Sequence, residues 1–328
     1  MRSLSEIRST LPTYPIEIEF PAISQWRSSN CGVDYVHSFD SGVPGPHAMV
    51  LALVHGNEVS GAITVDLLLR EQIKPIIGRL SLGFANVAAY QQFDPSEPDA
   101  SRFVDEDFNR VWGTDVLDGS RESTELRRAR EMRPFLDTVD LLLDIHSMHE
   151  ASEPLMMCGP LQKGRQFATE LGYPKHVIVD KGHKDGKRLR DYGDFGNPDS
   201  PRNALLVETG QHFAKKGQEV ALDTACRFLI QSGVVDETSV AKFLTQHKPA
   251  VQHFIEITEP VVAQSMDFDF CEAFKGLEIL PTKGTKIAQE NNREVLTPYD
   301  NCVIVQPSLR QLAPGVTVMR LGKLLPVS

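Results

Sequence analysis

Cysteine is scarce in this 328-residue sequence: Cys31, Cys158, Cys226, Cys271 and Cys302 are odd in number, scattered, and never in C-x-x-C spacing. That excludes a disulfide framework and a cysteine zinc site, and a reducing compartment fits it best. Long apolar runs are also missing. No segment approaches the ~18 apolar residues that span a bilayer. The opening stretch, MRSLSEIRSTLPTYPIEIEF, has no continuous apolar core of the secretory kind. The expectation is a soluble, cytoplasmic protein with no membrane partner. Positive charge is in deficit, with 34 Lys and Arg against 44 Asp and Glu and a formal net charge of −10. This argues against a nucleic-acid partner but leaves room for a local cationic pocket. Internal repeats and low-complexity tracts are absent as well.

What remains is an ordinary globular composition, long enough to bury a substantial core. From about residue 16 to 245, apolar strands alternate with helical stretches. The strands expected are Ile16–Phe20, Met49–Val54, Leu80–Asn86, Leu141–His146, His176–Val179 and Ala204–Glu208. Several are short continuous apolar runs, as strands buried on both faces require. Helices are expected over Glu58–Gln72, Glu122–Leu136, Gln162–Leu171 and Gln218–Ser232. The fold class that follows is α/β with a largely parallel or mixed sheet. Lys181 to Asn203, rich in Gly, Asp, Lys and Arg, reads as a long loop, and long loops in compact domains are often functional. A boundary is expected near Gln246–Gln252. Beyond it, His253–Thr258, Gly276–Leu280, Cys302–Val305 and Thr317–Arg320 read as strands of a small β domain.

Three strand ends carry chemistry. After the strand AMVLALV comes HGNE, where Gly56 permits a tight turn and His55 and Glu58, three apart at a helix start, can face the same way. A catalytic zinc commonly takes two His and one Glu and keeps a position open for water. H-x-x-E alone fits equally a capped helix with a solvent-facing Glu. LLLDIHSMHE puts His146 at the C-terminal end of an apolar strand, where ligands gather in open α/β sheets. Asp144 shares its face and either orients the imidazole or pairs with a neighbouring cation. His149 completes an H-x-x-H but lies past the strand end. NALLVE ends on Glu208, a carboxylate that is costly there unless it is salt-bridged or used as a general base. In RFVDEDFNRVW, Arg102, Asn109 and Arg110 surround the acids Asp105, Glu106 and Asp107. They can read an anionic substrate through arginine's planar fork, or form an internal ion-pair cluster. Arg121, Arg127, Arg128, Arg130 and Arg133, interleaved with Glu122, Glu125 and Glu131, read as a solvated helix face.

In this order, HGNE, DEDFNR, DIH and VETG resemble the motifs of the succinylglutamate desuccinylase/aspartoacylase family, a branch of the zinc carboxypeptidase superfamily. The resemblance covers roughly residues 45 to 235, and the C-terminal β region suits the family too. It implies a zinc-carboxypeptidase-like mixed sheet flanked by helices, with a small C-terminal β domain. It implies one zinc ion per chain, held by His55, Glu58 and His146, with Glu208 as the catalytic base. Arg102, Asn109 and Arg110 then bind a substrate carboxylate. Two parts of the family pattern find no match: a further substrate arginine before the catalytic Glu, for which Arg202 is misaligned, and a C-terminal substrate tyrosine, for which Tyr299 is available.

The expected function is hydrolysis of the amide bond of a small, anionic N-acyl amino acid, with a zinc-bound water as nucleophile. The expected division is a catalytic α/β domain over 1–245 and a small β domain over 246–328 that walls the cleft. Alternatives are a zinc carboxypeptidase acting on peptides, a non-catalytic binding protein on the same fold, and an esterase or lyase. Self-association into a homo-oligomer is left open.

Overall fold

Strand-forming runs with buried residues at every position are the backbone of the structure, a computed structural model that describes residues 2–245 and 247–326. The first seven strands are β1 (Val36–Asp40), β2 (His47–Ala52), β3 (Arg79–Phe84), β4 (Leu141–Met148), β5 (Leu155–Met157), β6 (His176–Val179) and β7 (Asn203–Gln211). The later ones are β8 (His253–Val262), β9 (Phe268–Phe270), β10 (Ile279–Leu280), β11 (Lys286–Glu290), β12 (Arg293–Leu296), β13 (Cys302–Val305) and β14 (Thr317–Leu324). Five helices of two turns or more accompany them: α1 (Leu4–Thr10), α2 (Val59–Arg70), α3 (Thr124–Leu136), α4 (Gln162–Leu171) and α5 (Lys215–Gln231).

The sheet order is β1-β3-β2-β4-β7-β5-β6-β8-β14-β13-β10, one large mixed sheet, with β12-β11-β9 forming a small second one. Its centre, β3-β2-β4-β7, is parallel. Alternate residues go to opposite faces, as the pleat demands. Ala48, Val50, Leu143, Ile145, Leu205 and Val207 pack with α2, α4 and α5. Met49, Leu51, Leu142 and Ala204 pack on the other side with α3 and Trp112. The mixed α/β class expected from the sequence is the fold observed, with helices on both faces and a small sheet near the C-terminus. The strand β8 hydrogen-bonds to β6 in register His176↔His253, so the large sheet runs unbroken into the C-terminal strands. Gln246, where the expected boundary begins, lies outside the described residues, as do Val327 and Ser328.

Two expectations need correction. Ile16–Phe20 is no strand; Glu17 N donates to Phe213 O at 3.0 Å, but no ladder follows. Prolines at positions 15 and 21 remove donors at both ends. The sheet edge is instead β1, antiparallel to β3. The charged face of α3 and the residues before it is solvated only in part: Arg121, Glu122, Arg127 and Glu131 are exposed, but others are not. Glu125 is fully buried and accepts from the backbone N–H of Val104, Asp105 and Glu106 at 2.7, 3.1 and 3.3 Å. Arg128 donates to Ala85 O and Phe84 O, closing the end of β3, and Arg130 donates to three loop carbonyls. Charge alternation on a helix does not distinguish solvent from a neighbouring loop whose backbone needs partners.

The long 181–203 segment is pinned from outside by one ammonium. Lys163 Nζ, on α4, donates to the carbonyls of Asp194, Asn197, Ser200 and Arg202 at 3.0, 2.7, 3.0 and 2.5 Å. Lys163→Met keeps the aliphatic stem and leaves those acceptors without it. We expect a loss of about 1–3 kcal/mol in denaturant unfolding, the cost of stranding polar groups. Amide exchange should quicken over 193–203, and unchanged exchange there would show that the segment is held elsewhere.

Candidate active site

The parallel strands β2, β4 and β7 present their C-terminal ends together, the location where open α/β sheets hold ligands. His146 on β4 is the register partner of Glu208 on β7, so the two side chains leave the sheet on one face. After β2, Leu53 takes a left-handed backbone (φ 62), unusual for a branched residue and of the kind found at functional sites. The chain then reaches His55 and Gly56. Gly56 has no positive φ; its need is for space. A Cβ there would run into the backbone of Ala89, Tyr90 and Ser101, and Gly56 N donates to Arg102 O at 3.0 Å. The expected tight turn is present, with Glu58 N donating to His55 O at 3.2 Å, and close approach rather than φ is what requires glycine there.

Glu58 opens α2 without capping it, because its carboxylate is turned into the cleft and is 2% exposed. That removes the reading of a solvent-facing Glu. His55 Nδ1 lies 2.7 Å from Glu58 Oε1, and His146 Nδ1 lies 2.8 Å from Oε2. One ligand atom from each of the three residues falls within 4.8 Å of the others, a group that could hold a metal ion. The outer ring nitrogens also face carboxylates: His55 Nε2 is hydrogen-bonded to Asp107 Oδ1 at 2.9 Å, and His146 Nε2 stands 2.9 Å from Asp144 Oδ2, an ion-pair contact outside hydrogen-bond geometry. Carboxylates behind metal-binding imidazoles fix their tautomer and orientation. Two imidazoles and a carboxylate, each supported from behind, fit a zinc ion with an open position.

The electrostatics agree with that fit. Burial works against a charged Glu58, yet the two histidines outweigh it and hold its carboxyl well below the usual range. Burial likewise opposes charge on His146, but Asp144 and Glu58 raise its pKa well above normal. The ring keeps positive charge between two carboxylates, which is the demand a bound cation meets. Glu208 behaves oppositely. Burial, then the Glu58 charge, pushes its carboxyl up to about 8 against the pull of His146, Gln306 and Arg102. Its Oε1 accepts from Gln306 Nε2 at 2.9 Å, while the buried Oε2 has no hydrogen-bond partner.

The acids of DEDFNR, which the sequence groups as one patch, go to three places. Asp105 accepts from Thr124 N at 2.7 Å, Glu106 pairs with Arg121 at 2.8 Å, and Asp107 serves His55 and Arg102. Arg102 also donates to Glu58 Oε1 at 3.1 Å, and its buried Nε is unpartnered. Asn109 is 4% exposed and accepts from Leu189 N at 2.9 Å. Arg110 donates to Asn109 O and stands 3.9 Å from Asp107, a loose ion pair. All three line a cleft of about 550 Å³ that also includes the metal-binding group and Glu208. His149 lines it too, with Nδ1 3.1 Å from His212 Nε2 and 3.3 Å from Asp99.

Arg202 and Tyr299 are not among the cleft residues: Arg202 donates to Asp137 O, and the Tyr299 hydroxyl lies 2.6 Å from Thr258 Oγ1. From the long loop, His183 and Arg188 reach the cleft and Lys184 does not. Gln306 and Arg320, which line the cleft from the C-terminal strands, went unnoticed in the sequence. A signal was present for Gln306, since the buried run CVIV ends on it just as NALLVE ends on Glu208.

Residues 44–199 match the family described as the succinylglutamate desuccinylase/aspartoacylase catalytic domain. This stretch of the chain is similar to that catalytic domain. The desuccinylase/aspartoacylase match includes His55, Glu58, Arg102, Asn109, Arg110 and His146 and ends before Glu208. Succinylglutamate desuccinylase from Vibrio cholerae is similar over 89% of this chain and 86% of its own, with 17% identity and a TM-score of 0.65. A succinylglutamate desuccinylase/aspartoacylase from Rhodobacter sphaeroides is similar over 90% of both chains, with 17% identity and a TM-score of 0.64. An aspartoacylase family protein from Mesorhizobium loti matches 89% of both, with 16% identity and a TM-score of 0.61. Likeness at such identities is one of fold. No curated protein matches the chain by sequence. No helix among the described residues is long and apolar enough to cross a membrane.

The raised Glu208 carboxyl has a measurable consequence in protein stripped of metal. Its folded value, about 8, exceeds the ordinary 4.5, so between them the native state holds a proton that the unfolded state releases. The stability this gives is complete below the ordinary value and is lost as pH rises through about 8. Each unit in that interval removes at most about 1.4 kcal/mol. The melting temperature of the stripped protein should fall from about pH 5 to about pH 9. Glu208→Gln, which cannot ionise, should flatten most of that fall. Equal slopes in both proteins would assign the pH sensitivity to other groups.

Proposed function

We propose that the chain is a zinc-dependent amidohydrolase, a deacylase that cleaves the amide bond of a small, anionic N-acyl amino acid. One observation carries the reading: a buried carboxylate, Glu58, lies between the Nδ1 atoms of His55 and His146, with Glu208 in register beside them. One zinc ion per chain, held by His55, Glu58 and His146, would supply a Lewis acid for the amide carbonyl and lower the pKa of water. Glu208 acts as general base. Its Oε2, without another partner, takes the proton of the attacking water and delivers it to the departing nitrogen. Gln306 on Oε1 keeps the carboxyl from turning away.

Arg102, Asn109 and Arg110 bind the substrate. The Arg102 Nε–H remains available to a developing oxyanion, while both of its terminal nitrogens are occupied by Glu58 and Asp107. Arg110 is suited to a substrate carboxylate because its nearest acid stands 3.9 Å away. Burial pulls its pKa down, as do Arg102 and Arg188, so an incoming anion relieves the site. A cleft of about 550 Å³ is of the size that takes small molecules. The reading includes a cytoplasmic location, for which the free state of all five cysteines is support. It also includes a catalytic unit over 1–245 and a β unit over 246–328 that supplies the far wall of the cleft, where Gln306, Pro307 and Ser308 stand.

Elemental analysis tests the metal assignment. His146→Ala should leave less than about a tenth of the zinc bound, given that even partners behind the ligands are worth 10–100-fold in affinity. Full zinc content in that variant would falsify the triad. Glu208→Gln should retain zinc and lose kcat by roughly 10²–10⁴-fold on N-acetyl, N-formyl or N-succinyl amino acids. If most of the turnover survives, the base is another group.

A further inference from the structure

One cation of the cleft has no part in the reaction described above. Arg320, on β14, lines the cleft and forms no ion pair among the described residues. Its Nη1 donates to Gln306 Oε1 at 2.9 Å, the one side-chain hydrogen bond it makes among them. The nearby acids are already committed. Asp180 takes two bonds from Arg188, at 2.9 and 2.7 Å, and Asp191 takes a third from Arg188 Nε at 2.7 Å. Asp107 is held by His55 and Arg102.

Arg320 is thus left without a carboxylate of its own beside Arg110 and Arg188, and the pKa of two neighbouring groups reflects this. Burial and then Arg110, Arg320 and Arg188 push the His183 imidazole down to about 3, so this cleft residue stays neutral. Arg320 itself is brought down to about 10 by burial, with Arg188 and Arg110 acting in the same direction against Asp180 and Glu208. A desolvated guanidinium facing a cleft with one neutral acceptor is a receptor for an anion.

Gln306 gives this arginine a connection to the chemistry. The one amide accepts from Arg320 through Oε1 and donates to Glu208 through Nε2, each at 2.9 Å. Turning the amide over would set its NH₂ against the guanidinium, which has no acceptor to offer, so Arg320 fixes its orientation. The backbone of Gln306 is left-handed (φ 50), a conformation that costs free energy and is kept where surroundings enforce it.

We propose that Arg320 reads a substrate carboxylate other than the one at Arg110, and that Gln306 is the positioning residue that ties this contact to Glu208. The proposal rests on the deacylase reading for its substrate, but its geometry is independent of turnover. When an anion occupies Arg320, the guanidinium, Gln306 and Glu208 are drawn into one line of charged hydrogen bonds. The base is then held most firmly when the second carboxylate is present. Arg320 is a specificity residue supplied by the C-terminal strands, and substrates lacking its partner group should suffer in kcat as well as in KM.

Calorimetric binding of succinate and of butyrate to the zinc-loaded protein tests the first half, since the two differ by one carboxylate on the same four-carbon chain. The folded wild type should prefer succinate by about tenfold or more, the scale of a charged hydrogen bond. Arg320→Met should remove most of that preference and leave butyrate binding within about twofold. If Arg320→Met does not fold, Arg320→Gln, which keeps a donor toward Gln306, carries the same readout. No preference in the wild type, or an undiminished one in a folded Arg320 variant, overturns the proposal.

For the second half, Gln306→Met should lower kcat by about tenfold with KM within about twofold and an unchanged melting temperature. Equal kcat removes Gln306 from the positioning role, and a fall in melting temperature that accounts for the lost activity does the same. Succinate preference that depends on Arg320 in a protein that hydrolyses no N-acyl amino acid would keep this arm and discard the deacylase reading. Hydrolysis with an Arg320-independent preference would do the reverse.

Discussion

A single buried negative charge governs the cleft. Glu58 is 2% exposed, and an isolated carboxylate at that depth would be prohibitive or would simply take up a proton. It stays ionised because His55, His146, Arg102 and the Ser147 N–H all address its two oxygens. Each partner brings its own requirement. The imidazoles must be fixed in one tautomer, which draws in Asp107 and Asp144. The Arg102 loop must come close, which needs a glycine at 56 with no side chain between it and the 89–90 and 101 backbone. Satisfying one carboxylate thus organises four separate stretches of chain.

The neighbouring carboxylate shows the other outcome of the same physics. Glu208 is as deeply placed, but its chief cationic neighbours are already engaged by Glu58, and the Glu58 charge repels it. It is therefore pushed toward the proton-holding range at which a general base operates. Two carboxyl groups on adjoining elements are driven to different pKa values by what surrounds them. The difference is made by partners and not by residue type.

The segment that carries Arg102, Asn109 and Arg110 has only two single-turn 3₁₀ helices, Ala100–Arg102 and Phe108–Arg110, so no regular ladder satisfies the backbone between them. Glu125 supplies what is missing, receiving three successive N–H groups from 104–106 while wholly buried in α3. On the far side, Leu189 N donates to Asn109 and Trp112 N to Lys187 O, so the long loop closes against the same segment. Irregular chain can hold side chains in place only when its polar groups are accounted for. Here a carboxylate and a second loop do that accounting.

The sequence by itself determined the central strands of the sheet, the helices packed on it and the residues at those strands' ends. Apolar runs such as ALLVE and LLLDIH read as buried strands because both faces of the sheet are covered, and a His or Glu closing such a run stands out against the cost of burying it. The α4 and β6 boundaries, Gln162–Leu171 and His176–Val179, are met residue for residue. Local pattern failed wherever the deciding partner was remote in the chain. Glu125 looked solvated because the loop whose N–H groups donate to it lies about twenty positions away, and Asp107 looked like one acid among three until His55 was placed against it. Arg320 carries no local mark of the cleft, and Gln306 only its place at the end of the CVIV run. They meet Glu208 because β8, β14 and β13 extend the sheet past β6 and fold their ends over it, and pairing between strands is a long-range contact that no short window of sequence encodes.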